Sequence, residues 1–186
     1  MPESPRSLTP LEAARRNVDA AIRMLFSGED PLPVHLVVAT TFRVLHDLAQ
    51  AGRPTPQDDR INTFLLPGGE GVFYRALNDA ATFAKRAQQD PRAMLQEVTE
   101  ERNDFEIAIS CLYLECLVGK STAEAQAFLW WFATMYPHVM KADLFFRASL
   151  PQEDFTWLRA APRAKQLQFG DTILRLVRRN SLTAQP

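Results

Sequence analysis

The chain has 186 residues, of which 46% are hydrophobic and 23% are charged. These values are typical of a globular protein, and the length suits one domain better than two. Its 21 basic and 22 acidic side chains give a formal net charge of -1, so no overall field attracts the protein to nucleic acid or to anionic lipid.

The segment Thr9-Pro10-Leu11-Glu12 predicts the start of the first helix. The Thr9 hydroxyl can accept a hydrogen bond from the first turn, Pro10 needs no donor there, and Glu12 can bond back to the Thr9 N–H. Apolar residues then recur at helical spacing to about residue 27, where Gly28 ends the helix.

Two more helices are predicted before the middle of the chain. Asp30-Pro31 opens one that runs to about residue 51, and the short connection favours an antiparallel pair with the first helix. After proline- and glycine-rich loops, a third long helix is predicted over residues 70–89, and Asp90-Pro91 follows it.

The C-terminal half is also helical by pattern. Helices are predicted over residues 99–118, from Ser121 or Thr122 to Pro137, and over residues 163–179. Only residues 107–118 keep a strand as an alternative. The sequence therefore predicts an all-α fold, a single-domain helical bundle of about six to eight helices.

The predicted domain spans residues 9–180, with a disordered N-terminus over residues 1–8 and a frayed C-terminus over residues 181–186. No apolar run approaches the ~18 residues of a membrane span, and the first residues lack the pattern of a secretory signal. We therefore expect a cytoplasmic protein that makes no membrane contact.

Cysteine and histidine placement argues against a metal or a cofactor. Cys111 and Cys116 stand five residues apart, so on one helix they point in different directions and should not pair; both are expected to be buried. His35 and His46 share a helix face, but eleven residues rise about 16 Å, too far for one ion. The role of His46 stays open.

Two partial motifs weigh against catalysis. Gly119-Lys120-Ser121-Thr122 matches the end of a phosphate-binding loop, but Leu114 stands where the loop needs glycine, so a helix end followed by a helix cap explains it better.

Ribonucleases of the HEPN type place an arginine four to six residues before a histidine, whereas Arg43 stands three before His46. An enzyme is disfavoured.

Carboxylates alone do not restore a catalytic assignment. The acidic residues around the start of the fourth predicted helix are expected to form a solvated face: Glu97, Glu100, Glu101 and Asp104. Arginines near the end of the last helix suit its dipole without a ligand, and no aromatic platform accompanies them, so nucleic acid is a poor candidate partner.

Several segments resemble an uncharacterised group of small bacterial all-α proteins. They are residues 11–16, 19–22 and 28–31 with Val34-His35 near the start, then residues 83–87, Asp90-Pro91 and Trp131-Phe132. The group has histidine after the lysine, where this chain has Arg86. The resemblance implies a helical fold in a bacterial protein and implies no activity.

The aromatic C-terminal half supplies the leading hypothesis, a non-catalytic helical protein-interaction module, scaffold or regulatory, that forms a homodimer or binds a protein partner. For the Trp130-Trp131 pair itself, core packing is the favoured interpretation, and a pocket lining or a protein contact is the alternative. Two other functions stay open: a small-molecule site in an aromatic-lined pocket, and a degenerate HEPN-like or other hydrolase or nuclease. The candidate ligand- or partner-binding residues are His35, Phe128, Trp130, Trp131 and Tyr136.

Overall fold

The computed structural model describes residues 7–51, 92, 94, 97–138 and 154–183. Within them 79% of the residues are helical and none lies in a strand, so the predicted all-α class is confirmed. The described part holds six helices: α1 (Pro10–Phe26), α2 (Pro31–Ala51), α3 (Glu100–Val118), α4 (Ala123–Met135), α5 (Thr156–Arg159) and α6 (Arg163–Thr183). The helix predicted over residues 70–89, its loops and Arg86 lie outside the described residues.

The helix starts follow the predicted capping chemistry. The Thr9 hydroxyl accepts from the Glu12 N–H at 3.2 Å, and Pro10 occupies the first turn of α1. Asp30 accepts from the Leu32 N–H at 2.8 Å where α2 begins. Of the two candidates for capping α4, Thr122 does so, by accepting from the Ala125 N–H at 3.1 Å. Local hydrogen bonds therefore fix these boundaries.

Residues 107–118 are helical, so the strand alternative is wrong. Thr99 caps α3 by accepting from the Arg102 N–H, and Gly119 ends it at φ 68°, in the left-handed region that favours glycine. Burial on nearly every side from Asn103 to Leu114 removes the amphipathic pattern that marks a surface helix. This explains why the sequence alone left the segment ambiguous.

Helices α1 and α3 make most of the described helix packing. Helix α1 contacts α2, α3, α4 and α6, whereas α3 packs most extensively on α2 and also contacts α1 and α4; α4 packs on α6. Apolar side chains from all the long helices form one core, whose largest fully buried members are Trp131, Phe128, Phe132 and Ile22. Polar side chains buried in this core therefore lie between helices rather than at the surface.

Helices α1 and α6 approach closely at one glycine. A Cβ added at Gly170 would overlap ring atoms of Phe26. That ring is itself held by Phe128 at 6.1 Å and by Trp131 at 5.5 Å between centroids. The close crossing therefore depends on Gly170 having no side chain.

Helix α6 continues to Thr183, past the predicted end at residue 179. No helix in the described part of the chain is long and apolar enough to span a bilayer. The predicted domain limits and disordered ends stay predictions.

Candidate functional site

A buried polar network, the His35 network, joins α2 to α3 through His35, Arg102 and Glu106. His35 Nδ1 lies 2.6 Å from Glu106 Oε2, and both side chains are fully buried. Arg102 Nε donates to Glu106 Oε1 at 2.8 Å, and the Arg102 side chain is 31% exposed. The network therefore has a carboxyl group inside the core and a guanidinium group at its edge.

Hydrogen-bond chemistry assigns the tautomer of His35. Arg102 only donates, and its Nη2 lies 3.5 Å from His35 Nε2, so Nε2 is the acceptor. Nδ1 then carries the proton and donates to Glu106. Each polar atom of the pair has a partner, which is the condition under which such a network stabilises a core.

Asn103, next to Arg102, also ties α3 to α2. It is fully buried, and its Nδ2 donates to the Pro31 carbonyl at 2.8 Å. Its Oδ1 is buried and finds no hydrogen-bond partner among the described residues. The amide therefore contributes one contact to the first turn of α2.

A second buried network, the Asp104 network, lies on the other side of α3. The Tyr136 hydroxyl donates to Asp104 Oδ2 at 2.7 Å, and Arg163 Nη2 donates to Oδ1 at 2.6 Å. Arg163 Nε also lies 2.9 Å from Glu100 Oε2, without the alignment of a hydrogen bond. These contacts join α3 to Tyr136, just after α4, and to the first residue of α6.

The prediction that four acidic residues form a solvated face is wrong for Asp104. Glu97, Glu100 and Glu101 are exposed as predicted, but Asp104 is fully buried. Burial raises the pKa of Asp104 to about 6, although hydrogen bonds from Arg163 and Tyr136 favour its charged form. Burial and the neighbouring carboxylate also raise the pKa of Tyr136. The sequence did not predict the burial of Asp104, because the other acidic residues around it are exposed while its own position faces the core.

The two sides of α3 also separate the predicted site residues. Asp104 and Glu106 are two positions apart, which places them about 200° apart around a helix axis. His35 therefore contacts one side of α3 and Tyr136 the other. The structure does not bring these two candidates together through any described contact.

Phe128 and Trp131 lie in the core rather than at the surface. Both are 0% exposed. The Trp131 indole N–H donates to the Gln166 carbonyl at 2.8 Å, and the Arg163 guanidinium stands 5.2 Å from the Trp131 ring centroid. This placement agrees with core packing, the interpretation that the sequence favoured for Trp131. A ligand- or partner-binding role for either residue stays a prediction.

Trp130 belongs instead to a partly exposed cluster, which we call the aromatic patch: Trp130, Phe155, Trp157 and Phe169. Trp130 lies 6.0 Å from both Phe155 and Phe169 between ring centroids, and Phe155 lies 5.7 Å from Phe169. Trp157 meets Phe169 edge-on at 6.4 Å and is 61% exposed. The patch thus has a packed base and one projecting indole.

Hydrogen bonds fix the chain that carries Trp157. Gln166 Nε2 donates to the carbonyls of Arg159 at 3.1 Å and Ala161 at 3.0 Å, and Arg159 Nη1 donates to the Thr134 carbonyl at 3.1 Å. Sequence analysis did not select Phe155, Trp157 or Phe169. The four-residue helix α5, which carries Trp157 and follows Phe155, shows no periodicity, and Phe169 lies on the amphipathic helix α6. An isolated tryptophan between Pro151 and Pro162 was the available signal.

The remaining predicted candidates have structural explanations. Gly119 and Thr122 end α3 and cap α4, as the helix-boundary interpretation of the phosphate-loop motif predicted. Cys111 is buried, but Cys116 is exposed, so the prediction that both are buried was wrong for Cys116. His46 stacks on Phe42, with ring centroids 6.1 Å apart.

Metal binding finds no support in the described residues. Among them, no three His, Cys, Asp or Glu side chains form a group that could hold an ion. His35 and Glu106 contribute two potential ligands, and Arg102 occupies the neighbouring position with a positive charge. A cation would therefore face an unfavourable neighbour there.

Comparisons with known proteins leave function to be inferred from these side chains. No protein-family model matches the sequence, and neither the curated proteins nor the solved structures contain a significant match.

Proposed function

We propose that this protein is a non-catalytic interaction module that acts as a homodimer, with the aromatic patch as its contact surface. The observation that carries the proposal is Trp157, whose side chain is 61% exposed above packed aromatic rings. Large exposed aromatic side chains cost hydration free energy, and tryptophan is enriched among residues that dominate binding energy.

Contacts within the chain hold the patch in place. Phe169 supports Trp157 from α6, and the Gln166 and Arg159 hydrogen bonds hold the turn between α5 and α6. A surface that is already ordered loses less conformational entropy on association. This favours a role in binding over a role in folding alone.

Overall charge permits a second copy as the partner. The formal net charge is -1, so two copies have almost no net repulsion to overcome. A protein with large charge of one sign would need a partner of opposite sign. A second copy of this chain is therefore the simplest occupant of the patch.

The alternatives have less support. A small-molecule ligand would have to displace core packing to reach the predicted aromatic pocket. Three of its four lining residues, His35, Phe128 and Trp131, are fully buried; the fourth is Tyr136. A hydrolase would need substrate to touch an acid–base pair, but His35 and Glu106 are both 0% exposed. The described contacts give both residues a role in joining helices.

The test is sedimentation velocity across about 1 to 100 µM protein, a range that covers micromolar dissociation constants. We expect a monomer–dimer equilibrium for the wild type and a monomer for Trp157→Ser. The matched control is Leu32→Ser on α2, another partly exposed apolar side chain, which should dimerise normally. Circular dichroism should show that both variants remain folded.

A wild-type chain that stays monomeric throughout this range would overturn the proposal. So would a Trp157→Ser variant that dimerises with the wild-type dissociation constant.

A further inference from the structure

We propose that Asp104, Tyr136 and Arg163 form a proton-operated switch, in which the Tyr136 hydroxyl reverses from hydrogen-bond donor to acceptor while α3 stays joined to α6. The inference does not depend on the proposed homodimer. It adds to the Asp104 network the atom that takes up the proton and the reason why the helices do not separate.

The two oxygens of Asp104 face donors of different kinds. Oδ1 accepts from Arg163 Nη2 at 2.6 Å, and Oδ2 accepts from the Tyr136 hydroxyl at 2.7 Å. A guanidinium group only donates, whereas a phenol both donates and accepts. A proton on Oδ1 would meet the hydrogens of Arg163, but a proton on Oδ2 can bond to the Tyr136 oxygen. The proton therefore belongs on Oδ2.

Reversal of one bond keeps the carboxyl group satisfied in both states. When Asp104 is charged, Tyr136 donates to Oδ2. When Oδ2 carries the proton, it donates to the Tyr136 oxygen, and the partly exposed tyrosine can turn its own hydrogen toward water. Neither oxygen of Asp104 loses its partner, so proton uptake leaves no unpaired buried group that would push the helices apart.

Arg163 has other partners that hold it when Asp104 is neutral. Its Nε lies 2.9 Å from Glu100 Oε2, and its guanidinium stands 5.2 Å from the Trp131 ring centroid. The positive charge therefore remains balanced after proton uptake. Because Oδ1 of a neutral carboxyl group still accepts a hydrogen bond, the first residue of α6 stays attached to α3.

Burial brings proton uptake into mild acid. It raises the pKa of Asp104 to about 6, against the opposing effects of Arg163 and Tyr136, and Glu100 raises the pKa further. Burial and the neighbouring carboxylate also raise the pKa of Tyr136, so its hydroxyl keeps its hydrogen throughout this range. The tyrosine therefore donates above about pH 6 and accepts below it.

Titratable groups on the other helices that pack against α3 act elsewhere. His35, from α2, bonds to Glu106 on the opposite side of α3. Burial and Asp19, from α1, raise the pKa of Cys111, two turns farther along α3. Glu124, in the first turn of α4, bonds to arginines of α1 and α6. The charge state therefore follows the contacts of the Asp104 network itself.

Carbon NMR on the wild-type protein tests the switch. The Asp104 Cγ signal, assigned through its own backbone, should titrate with a midpoint of about pH 6. The Tyr136 Cζ signal should move with the same midpoint, because the hydroxyl changes its role. Contact between the rings of Tyr136 and Phe105, whose centroids lie 5.0 Å apart, should persist from about pH 7.5 to about pH 4.5.

Three variants separate the reversal from general effects of acid. Asp104→Asn places a donating NH2 group before Tyr136, so at about pH 7.5 its Tyr136 Cζ signal should match that of the acidic wild type. Tyr136→Phe removes a donor to the charged form and should raise the Asp104 midpoint by about 0.5 to 1 pH unit. Tyr113→Phe, about 13 Å farther along α3, is the matched control and should leave the midpoint unchanged.

Loss of the Tyr136–Phe105 contact in acid would show that protonation releases the tyrosine, and the reversal would be wrong. An Asp104 midpoint near its ordinary value of 3.8 would also overturn the inference, as would a Tyr136 signal that does not follow Asp104. If a variant does not fold, the wild-type midpoints and ring contact still decide.

Discussion

At the scale of single residues, buried charge is the main feature of α3. Asp104 and Glu106 are both fully buried and point to different sides of the helix. Glu106 is bonded to α2 through His35, and Asp104 to α6 through Arg163. Since a buried charge without partners is costly, each carboxylate favours the one helix arrangement that supplies its donors.

The first prediction concerns pH. Because the pKa of Asp104 is raised from its ordinary value of 3.8 to about 6, the folded state binds this proton more readily than the unfolded chain. Its destabilising contribution is therefore fully present above pH 6 and is lost as the pH falls toward 4. Between pH 7.5 and 4, the wild type should gain up to about 3 kcal/mol relative to Asp104→Asn.

Urea denaturation of both proteins at several pH values measures this difference. Taking the difference removes the contributions of other titrating groups, such as Asp19, whose pKa is also raised by burial. If the free energies of unfolding of the wild type and of Asp104→Asn change equally with pH, the prediction is wrong.

The second prediction concerns the His35 network. Glu106→Leu leaves His35 and Arg102 without their acceptor and should lower the free energy of unfolding by about 3 kcal/mol. The double variant His35→Leu with Glu106→Leu should recover part of the loss, because it leaves one fewer unpaired buried group. Glu101→Leu, at an exposed position on α3, is the control and should change stability little. Additive losses in the double variant would show that the two side chains are not coupled.

At the scale of helices, α1 packs on α2, α3, α4 and α6, and its crossing with α6 is close at Gly170. Phe26 fills the space that a side chain at Gly170 would need. The rings of Phe128 and Trp131 pack against Phe26, so little free space surrounds it. A side chain at Gly170 would therefore require α1 and α6 to separate or Phe26 to shift.

The third prediction follows from this crossing. Helix propensity alone would make Gly170→Ala stabilising by about 1 kcal/mol. Overlap with Phe26 should reverse the sign and destabilise the protein by about 2 kcal/mol. Thermal denaturation measures the change, and the double variant with Phe26→Leu should recover part of it. A Gly170→Ala variant more stable than the wild type would show that α1 and α6 separate easily.

At the scale of the whole molecule, a nearly neutral chain carries one projecting tryptophan on an ordered surface. Association through that surface would couple folding to concentration, because a dimer that forms only from folded chains draws the equilibrium toward the folded state. The same coupling would not arise if the patch were covered within one chain.

The fourth prediction is therefore that the wild-type melting temperature rises with protein concentration. Trp157→Ser should melt at a temperature independent of concentration, and Leu32→Ser should behave like the wild type. Differential scanning calorimetry at concentrations below and above the dissociation constant checks all three. A wild-type midpoint that does not move with concentration would count against folding-linked dimerisation.

The amino-acid sequence by itself determined the helical class and most helix ends in the described regions, because caps such as Thr9, Thr122 and Gly119 act through neighbouring backbone groups. Only tertiary structure decided which polar residues became buried. In the sequence, Asp104 is indistinguishable from its exposed acidic neighbours. Its burial depends on Arg163 and Tyr136, which are distant in the chain and bond to it in the fold. The same holds for the two tryptophans that matter most: burial of Trp131 and exposure of Trp157 depend on how α4, α5 and α6 pack, which local spacing does not specify.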